Sequence, residues 1–288
     1  MKKKKKIFIL DSSGMAGHVI SQYLADGNHY ELLNIACDVN TPKDIVINVE
    51  DIGLLDGLIN EYQPDIIINC LRVLIEESEN DHARAIYCNS FIPHHLSKIS
   101  KKNGAKVIQL STDCVFSGRK GNYNEADVKD GDTYYAKTKA LGELINDQDL
   151  TSRTSYIGPN LHDKNEELFH WFMSQKGDVF GYTKALWTGI TTLELAKRIE
   201  EAIELNLTGV YHLVPDHKIS KYDLLALIQN IWKIDNVFLK KNENINIDKS
   251  LIDNRKKIKV NHYRLMFEEL YDWMQTHKTQ YMHYFDGK

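Results

Sequence analysis

The sequence is short of the features that mark several function classes. It has four cysteines, Cys37, Cys70, Cys88 and Cys114, with no CxxC and no zinc-ligand spacing. Scattered thiols without a secretion signal read as reduced and buried, not as a disulfide framework. No apolar run is long enough for a signal peptide or a membrane span. The cytoplasm is therefore the expected compartment, with no membrane partner. A net charge of −4 gives no electrostatic reason to expect nucleic acid. The basic run Lys2 to Lys6 reads as a solvated terminus. Adjacent residues on a helix point about 100° apart, so His94-His95 is a poor chelate and no metal site is expected. Internal repeats and low-complexity linkers are also missing.

What is present is a rhythm. Short apolar runs at 7–10, 32–36, 45–47, 66–69, 107–110 and 152–157 predict strands. Amphipathic stretches at 15–26, 51–62, 80–101 and 134–146 predict helices between them. Runs with little alternation, such as "DIIINC" and "KVIQLS", suit a parallel sheet buried on both faces. The expectation is an α/β fold: a doubly wound parallel sheet of Rossmann type over residues 1–155, with later returns near 179–215. A smaller, interleaved substrate domain is expected over 156–288. Within it, helices are expected near 191–205 and 261–276, with Ser220 capping another. The segment 184–191 and the polar stretch from 242 to 257 read as loops.

Two stretches carry chemistry. In "KIFILDSSGMAGHVI" a strand runs into a turn, and Gly14 and Gly17 open a helix whose N-terminus can face a phosphate. Asp11 stands where such turns carry their first glycine. The aspartate tolerates a left-handed backbone. Its carboxylate about 5 Å from a phosphate charge, at an effective dielectric of about 20, would repel it by roughly 3 kcal/mol. In the second stretch, "QLSTDCVFSG" follows a strand and "YYAKTKALGE" opens a helix. Tyr135 and Lys139 at i, i+4 share a helical face, where the ammonium can favour the phenolate. Such a pair suits proton donation to a carbonyl oxygen, and Thr112 at a strand end can hydrogen-bond the same oxygen.

With "PDIIINC", "RTSYIGP" and "TGITTLELA" added, the chain resembles the extended short-chain dehydrogenase/reductases over residues 5 to 230. Within them it resembles the dTDP-4-dehydrorhamnose reductase group of sugar-nucleotide reductases. "STDCVFSG" and the segment from Phe169 to Ala196 look most similar to the branch reducing UDP-linked 2-acetamido-2,6-dideoxy-4-hexuloses for surface polysaccharides. The resemblance implies that Thr112, Tyr135 and Lys139 are catalytic, with Asn89 supporting a proton relay or merely capping a helix bend. It implies an NADH or NADPH site formed by Asp11, Ser13, Gly14, Met15, Gly17, Asp38, Asn48, Val49, Cys70, Leu71, Arg72 and Ser111, beside Tyr135 and Lys139. Asp38, 21 residues after Gly17, leans the choice to NADH. Cys114, Val115, Phe116, Tyr156, Lys184, Trp187 and Thr188 are implied to meet the nucleotide-sugar, and a homodimer is allowed.

Arg72 stands where relatives usually carry a small residue. Since strands one and four are neighbours in the order 3-2-1-4-5, an Asp11–Arg72 ion pair is expected to relieve the repulsion, the alternatives being Arg72 on a phosphate or in solvent. The competing functions are an epimerase that retains NAD and a non-catalytic regulatory homologue. A dehydratase is disfavoured because Asp113-Cys114 follows Thr112 in place of the usual Asp-Glu.

Overall fold

A computed structural model describes residues 3–37, 44–161 and 167–285. Seven strands form one parallel sheet: β1 Lys5–Leu10, β2 Tyr30–Ala36, β3 Ile45–Val46, β4 Ile66–Asn69, β5 Lys106–Ser111, β6 Leu150–Arg153 and, later in the chain, β10 Gly209–His212. Their order is β10-β6-β5-β4-β1-β2-β3. Side chains alternate across this sheet, so it builds two cores. Ile7, Ile9, Ile66, Ile68, Ile108 and Leu110 face one side, against α1 (Met15–Gly27) and α8 (Thr192–Glu204). Phe8, Leu10, Ile67 and Val107 face the other, against α2 (Ile52–Tyr62) and α5 (Ile92–Asn103). Both faces are apolar because both are covered, and each such side chain contributes roughly 1.5–3 kcal/mol of burial.

The expected helix 80–101 is interrupted. It comprises α4 (His82–Ile86), a π-helical turn at Tyr87–Phe91 and then α5, with α3 (Ile75–Asn80) before them. The helix at 134–146 is α6, Tyr134–Leu141, which ends where Gly142 passes the Asn89 carbonyl; a Cβ there would sit 1.9 Å from that oxygen.

The expected strand 152–157 divides at Thr154-Ser155. β6 ends in the main sheet, and β7 (Tyr156–Ile157) pairs instead with β9 (Ile190–Thr191). Here the chain crosses to a second, three-stranded sheet of β11 (Ile219–Ser220), β8 (Gly177–Trp187) and β12 (Val237–Asp248). α7 (Leu168–Ser174), α9 (Lys221–Trp232) and α10 (Tyr263–Thr276) complete this part. Within 179–215, only Gly209–His212 pairs in the main sheet. Two loop expectations are corrected. Lys184 to Trp187 is the end of β8, and residues 242–248 belong to β12. β12 is an edge strand with most of its side chains exposed, so its sequence is polar and lacks the apolar period of a covered strand. Ser220 caps α9 as expected, its hydroxyl accepting from the Asp223 N–H. Among the described residues no helix is long and apolar enough to cross a membrane.

A candidate active site at the strand ends

The C-terminal ends of β1, β4, β5 and β6 lie side by side; the first three are followed by residues expected at the site, Asp11, Cys70 and Thr112, and the fourth by Thr154, which was not anticipated. Connections from β1 and β4 leave in opposite directions along the sheet, which opens a crevice between them.

At the first turn Asp11 takes the left-handed conformation, φ 62°. Its carbonyl accepts from the Gly14 N–H at 3.2 Å, and Gly14 starts α1 with no side-chain cap. Gly17 is obligatory, since a Cβ would lie 2.0 Å from the Asp11 carbonyl oxygen. The Asp11 carboxylate lies over Gly14, where a Cβ would come within 2.5 Å of Oδ2. The backbone therefore fits a pyrophosphate, with uncapped N–H groups and close helix–strand packing. The carboxylate at the same place opposes it. Burial pushes the Cys37 thiol up to about 12, and the Asp11 charge adds to this.

One cavity of about 60 Å³ is lined by Cys70, Arg72, Leu110, Ser111, Thr112, Tyr135, Lys139, Thr154, Ser155 and Tyr156. It brings together the three expected catalytic side chains. Thr133 caps α6, its hydroxyl accepting from Ala136 N–H, and so aims Tyr135 and Lys139 inward from the first turns. Lys139 donates to the Leu110 carbonyl at 2.7 Å. Burial, and then the Arg72 charge, lower it to about 8. Tyr135 is raised above the usual phenol range by burial and by Cys114 and Tyr156, with Arg72 and the Thr112 hydroxyl opposing. The cation that bears most on Tyr135 is thus Arg72, not Lys139 as the helical spacing suggested.

The Asp11–Arg72 pair does not form as expected. Arg72 makes its ion pair with Glu167, the residue before α7, and its Nη1 donates to the Tyr156 hydroxyl at 3.0 Å. Asp11 acts on it electrostatically, but behind its paired carboxylate Glu167. The guanidinium is drawn across the crevice to the second part of the molecule, a direction that strand adjacency does not specify.

Other expected site residues divide. Met15, Tyr156 and Trp187 line a neighbouring groove of about 200 Å³, with Arg72, Glu167 and Lys221. Lys221 lies 4.4 Å from the Trp187 ring centroid, and burial lowers it to about 8. Glu167 and Lys221 were not anticipated, because each is an ordinary helix-start residue in sequence. Val115 and Phe116 are corrected to core residues: both are fully buried, packed with Tyr123 and Leu251. Thr188 accepts from the Leu251 N–H and is likewise structural. Lys184 is exposed and paired with Glu243, away from these cavities. Cys114 receives a bond from Lys249 at 3.5 Å. Asn89 is a brace: its amide accepts from Val73 N–H and donates to the Val73 carbonyl and to Thr138 Oγ1. Among the described residues no bond from it goes to Lys139, and its bonds hold the loop after Arg72. Leu71 and Val49 are buried in the second core, Ser13 is half-buried, and Asn48 caps Glu50 N–H locally. Asp38 lies outside the described residues.

Beneath the cavity is a buried charge network. Ser111 donates to Glu143, which also receives two bonds from Arg153 at 2.8 and 2.7 Å and one from Lys129 at 2.9 Å. Arg153 also donates to His212 Nε2 at 2.9 Å, leaving Nδ1–H for the Ile252 carbonyl. Burial, then the Arg153 charge, hold His212 down at about 4. An unfolded histidine titrates near 6.5, so between about pH 6.5 and 4 the unfolded chain binds more protons. Stability is therefore expected to fall by about 3 kcal/mol as the pH is lowered through that window. Glu143 is held below its ordinary value; its burial is outweighed by Arg153 and Lys129, so it acts in the same direction at lower pH. Thermal melts at pH 7, 6 and 5 check this, with a shallower decline expected for His212→Gln. A melting temperature constant over that range would contradict it.

Residues 5–178 match the family described as RmlD substrate binding domain. A dTDP-4-dehydrorhamnose reductase of Streptomyces griseus is 30% identical over 125 residues, 40% of this chain and 41% of that protein. The chain thus aligns with less than half of that relative. The methionine adenosyltransferase 2 subunit beta of Mus musculus is 22% identical over 82% of this chain and 75% of its own. The spore coat polysaccharide biosynthesis protein SpsK of Bacillus subtilis is 27% identical over 77% and 78%. Among solved structures, a hypothetical dTDP-4-dehydrorhamnose reductase from Sulfolobus tokodaii superposes with a TM-score of 0.77 at 25% identity, covering 90% of this chain and 96% of that one. The dTDP-4-dehydrorhamnose reductase of Bacillus anthracis in complex with NADP has a TM-score of 0.82 at 16% identity, with 94% and 100% coverage, a likeness of fold. With the matched segment spanning the first turn, the Tyr135–Lys139 helix and the crossover at Tyr156, the chain belongs to the RmlD substrate-binding-domain family.

Proposed function

We propose that the protein reduces the C4 keto group of a nucleoside-diphosphate 4-keto-6-deoxysugar, using NADH or NADPH, in the making of a surface polysaccharide. The substrate is dTDP-4-dehydrorhamnose or a UDP-linked 2-acetamido analogue. The observation that carries this is the meeting of Thr112, Tyr135 and Lys139 around one cavity at the strand ends. The names of the S. griseus reductase and of SpsK support the substrate class and the setting.

The residues fit the dinucleotide through the backbone of the Gly14–Gly17 turn and the nearby Lys139 and Tyr135, with Asp11 weakening the hold. When bound, the cofactor supplies the hydride. Tyr135, kept protonated by burial, donates its proton to the carbonyl oxygen, and the Thr112 hydroxyl, turning from Asp113 Oδ1, hydrogen-bonds the same atom. Lys139, fixed on the Leu110 carbonyl, places a cation beside the reacting centre.

The test is NADH and NADPH oxidation with a panel of 4-keto-6-deoxy sugar nucleotides. Oxidation is expected with at least one of them and not with the corresponding 4-hydroxy sugars. Consumption of neither coenzyme with any member would leave the non-catalytic reading. That second reading is favoured by one observation, the Asp11 carboxylate over Gly14. The mouse relative is named as a subunit of another enzyme, which is compatible with such a role.

A further inference from the structure

Arg72 lines two spaces at once. It borders the cavity of Tyr135 and Lys139 and also the adjoining groove with Glu167, Trp187 and Lys221. Nη2 is paired with Glu167, Nη1 is bonded to the Tyr156 hydroxyl, and the guanidinium carbon lies 5.1 Å from the Tyr156 ring centroid. Both charged side chains are largely buried, 16% and 13% exposed. Held this way, Arg72 stands as a wall between the spaces.

The room left beside Tyr135 is about 60 Å³. An apolar cavity of about 150 Å³ is what takes one benzene, so this space is too small for a nicotinamide ring as it stands. Access to Tyr135 for a hydride donor therefore requires the guanidinium to move. The groove on its other side holds the means. Among the described residues Lys221 and Arg72 are its two cations, and a further space of about 660 Å³ continues from Lys221 past Trp171 and Phe180. Two buried polar atoms on residues lining the groove, Glu167 Oε2 and Trp187 Nε1, have no hydrogen-bond partner among the described residues. One accepts and the other donates, which suits a hydroxyl-bearing ligand. A diphosphate entering there competes with Glu167 for the guanidinium, since arginine pairs with phosphate oxygens through the same fork.

We propose that Arg72 is a gate residue: clasped by Glu167 and Tyr156 it closes the cavity to the nicotinamide ring, and a nucleoside diphosphate in the adjoining groove draws it away. Binding of the sugar nucleotide and of the dinucleotide is then positively coupled. The inference rests on the reductase reading for the identity of the two ligands.

The experiment titrates NADPH and NADH into the full chain by coenzyme fluorescence, with and without saturating UDP or dTDP as the diphosphate probe. Wild type is expected to bind at least one coenzyme about tenfold or more tighter when the probe is present, within the ordinary 5- to 150-fold range of coupling. Arg72→Gly is expected to bind that coenzyme with the probe-saturated affinity whether or not the probe is added. Glu167→Gln, which keeps shape and removes the charge, is expected to move in the same direction, with thermal melts confirming that both variants fold. Wild-type affinity indifferent to both probes, coupling undiminished in Arg72→Gly, or no coenzyme binding in any variant would each overturn the gate. If coupling is found while the keto-sugar panel yields no oxidation, the reductase reading fails and the gate stands.

Discussion

Tyr135→Phe is expected to lower the turnover of NAD(P)H with a 4-keto sugar nucleotide by about 10²- to 10⁴-fold, while coenzyme affinity changes little. The tyrosine is 7% exposed, so phenylalanine keeps the packing and removes only the hydroxyl. That hydroxyl is the proton donor of the proposed reaction, and its neighbours do not replace it. The Thr112 hydroxyl already bonds Asp113 Oδ1 at 3.2 Å and receives the Cys114 N–H at 3.1 Å. Lys139 has its ammonium on a backbone carbonyl. Single-turnover oxidation measured beside equilibrium binding separates the effects, and unchanged turnover in the variant would overturn the mechanism. The pH profile supplies a second check. Lys139 sits at about 8, so its charge is lost as pH rises through that value and the rate should decline above it. Arg72 is one cause of that lowering, so in Arg72→Gly the decline should move to higher pH.

What could be read in the sequence follows the range of the forces involved. The main sheet was legible because strands buried on both faces are continuous apolar runs, as in Ile66 to Ile68. β12 was not, because an edge strand with both sides near solvent carries no apolar period and reads as a loop. Tyr135 and Lys139 could be placed together by helical spacing alone, and Thr112 by its position at a strand end. Arg72 and Glu167 are 95 residues apart and come together only after the chain crosses from β6 to β7. Strand order correctly made Asp11 and Arg72 neighbours in the sheet, but the direction a long side chain takes depends on which opposite charge is available and buried. Val115, Phe116 and Thr188 illustrate the same limit. Their motif positions are near the site, while Val115 and Phe116 face a core completed by the distant Leu251, whose N–H also occupies Thr188.

Arg153→Met is expected to destabilise the protein by about 3–5 kcal/mol, the largest stability effect of any single change at this site. Arg153 is 1% exposed and holds Glu143, 4% exposed, through two nearly parallel bonds. Methionine fills much of the volume but leaves the Glu143 carboxylate with only Lys129 and Ser111. It also removes the donor that fixes the His212 tautomer. A buried carboxylate deprived of its main counter-charge loses far more than the pair contributes when intact, because its desolvation is no longer offset. The comparison is Lys129→Met, which removes a partner that is itself 26% exposed and is expected to cost under about 1 kcal/mol. Adding Glu143→Met to Arg153→Met should recover part of the loss, since the orphaned charge is then gone. Thermal unfolding at pH 7 measures all three, with a fall of roughly 10 °C expected for Arg153→Met. Equal effects of the Arg153 and Lys129 changes would mean that solvent, not the arginine, stabilises Glu143. The network also reaches the chemistry: Ser111, which anchors one end of it, immediately precedes Thr112, so loosening Glu143 should shift the threonine and lower turnover in protein that is still folded.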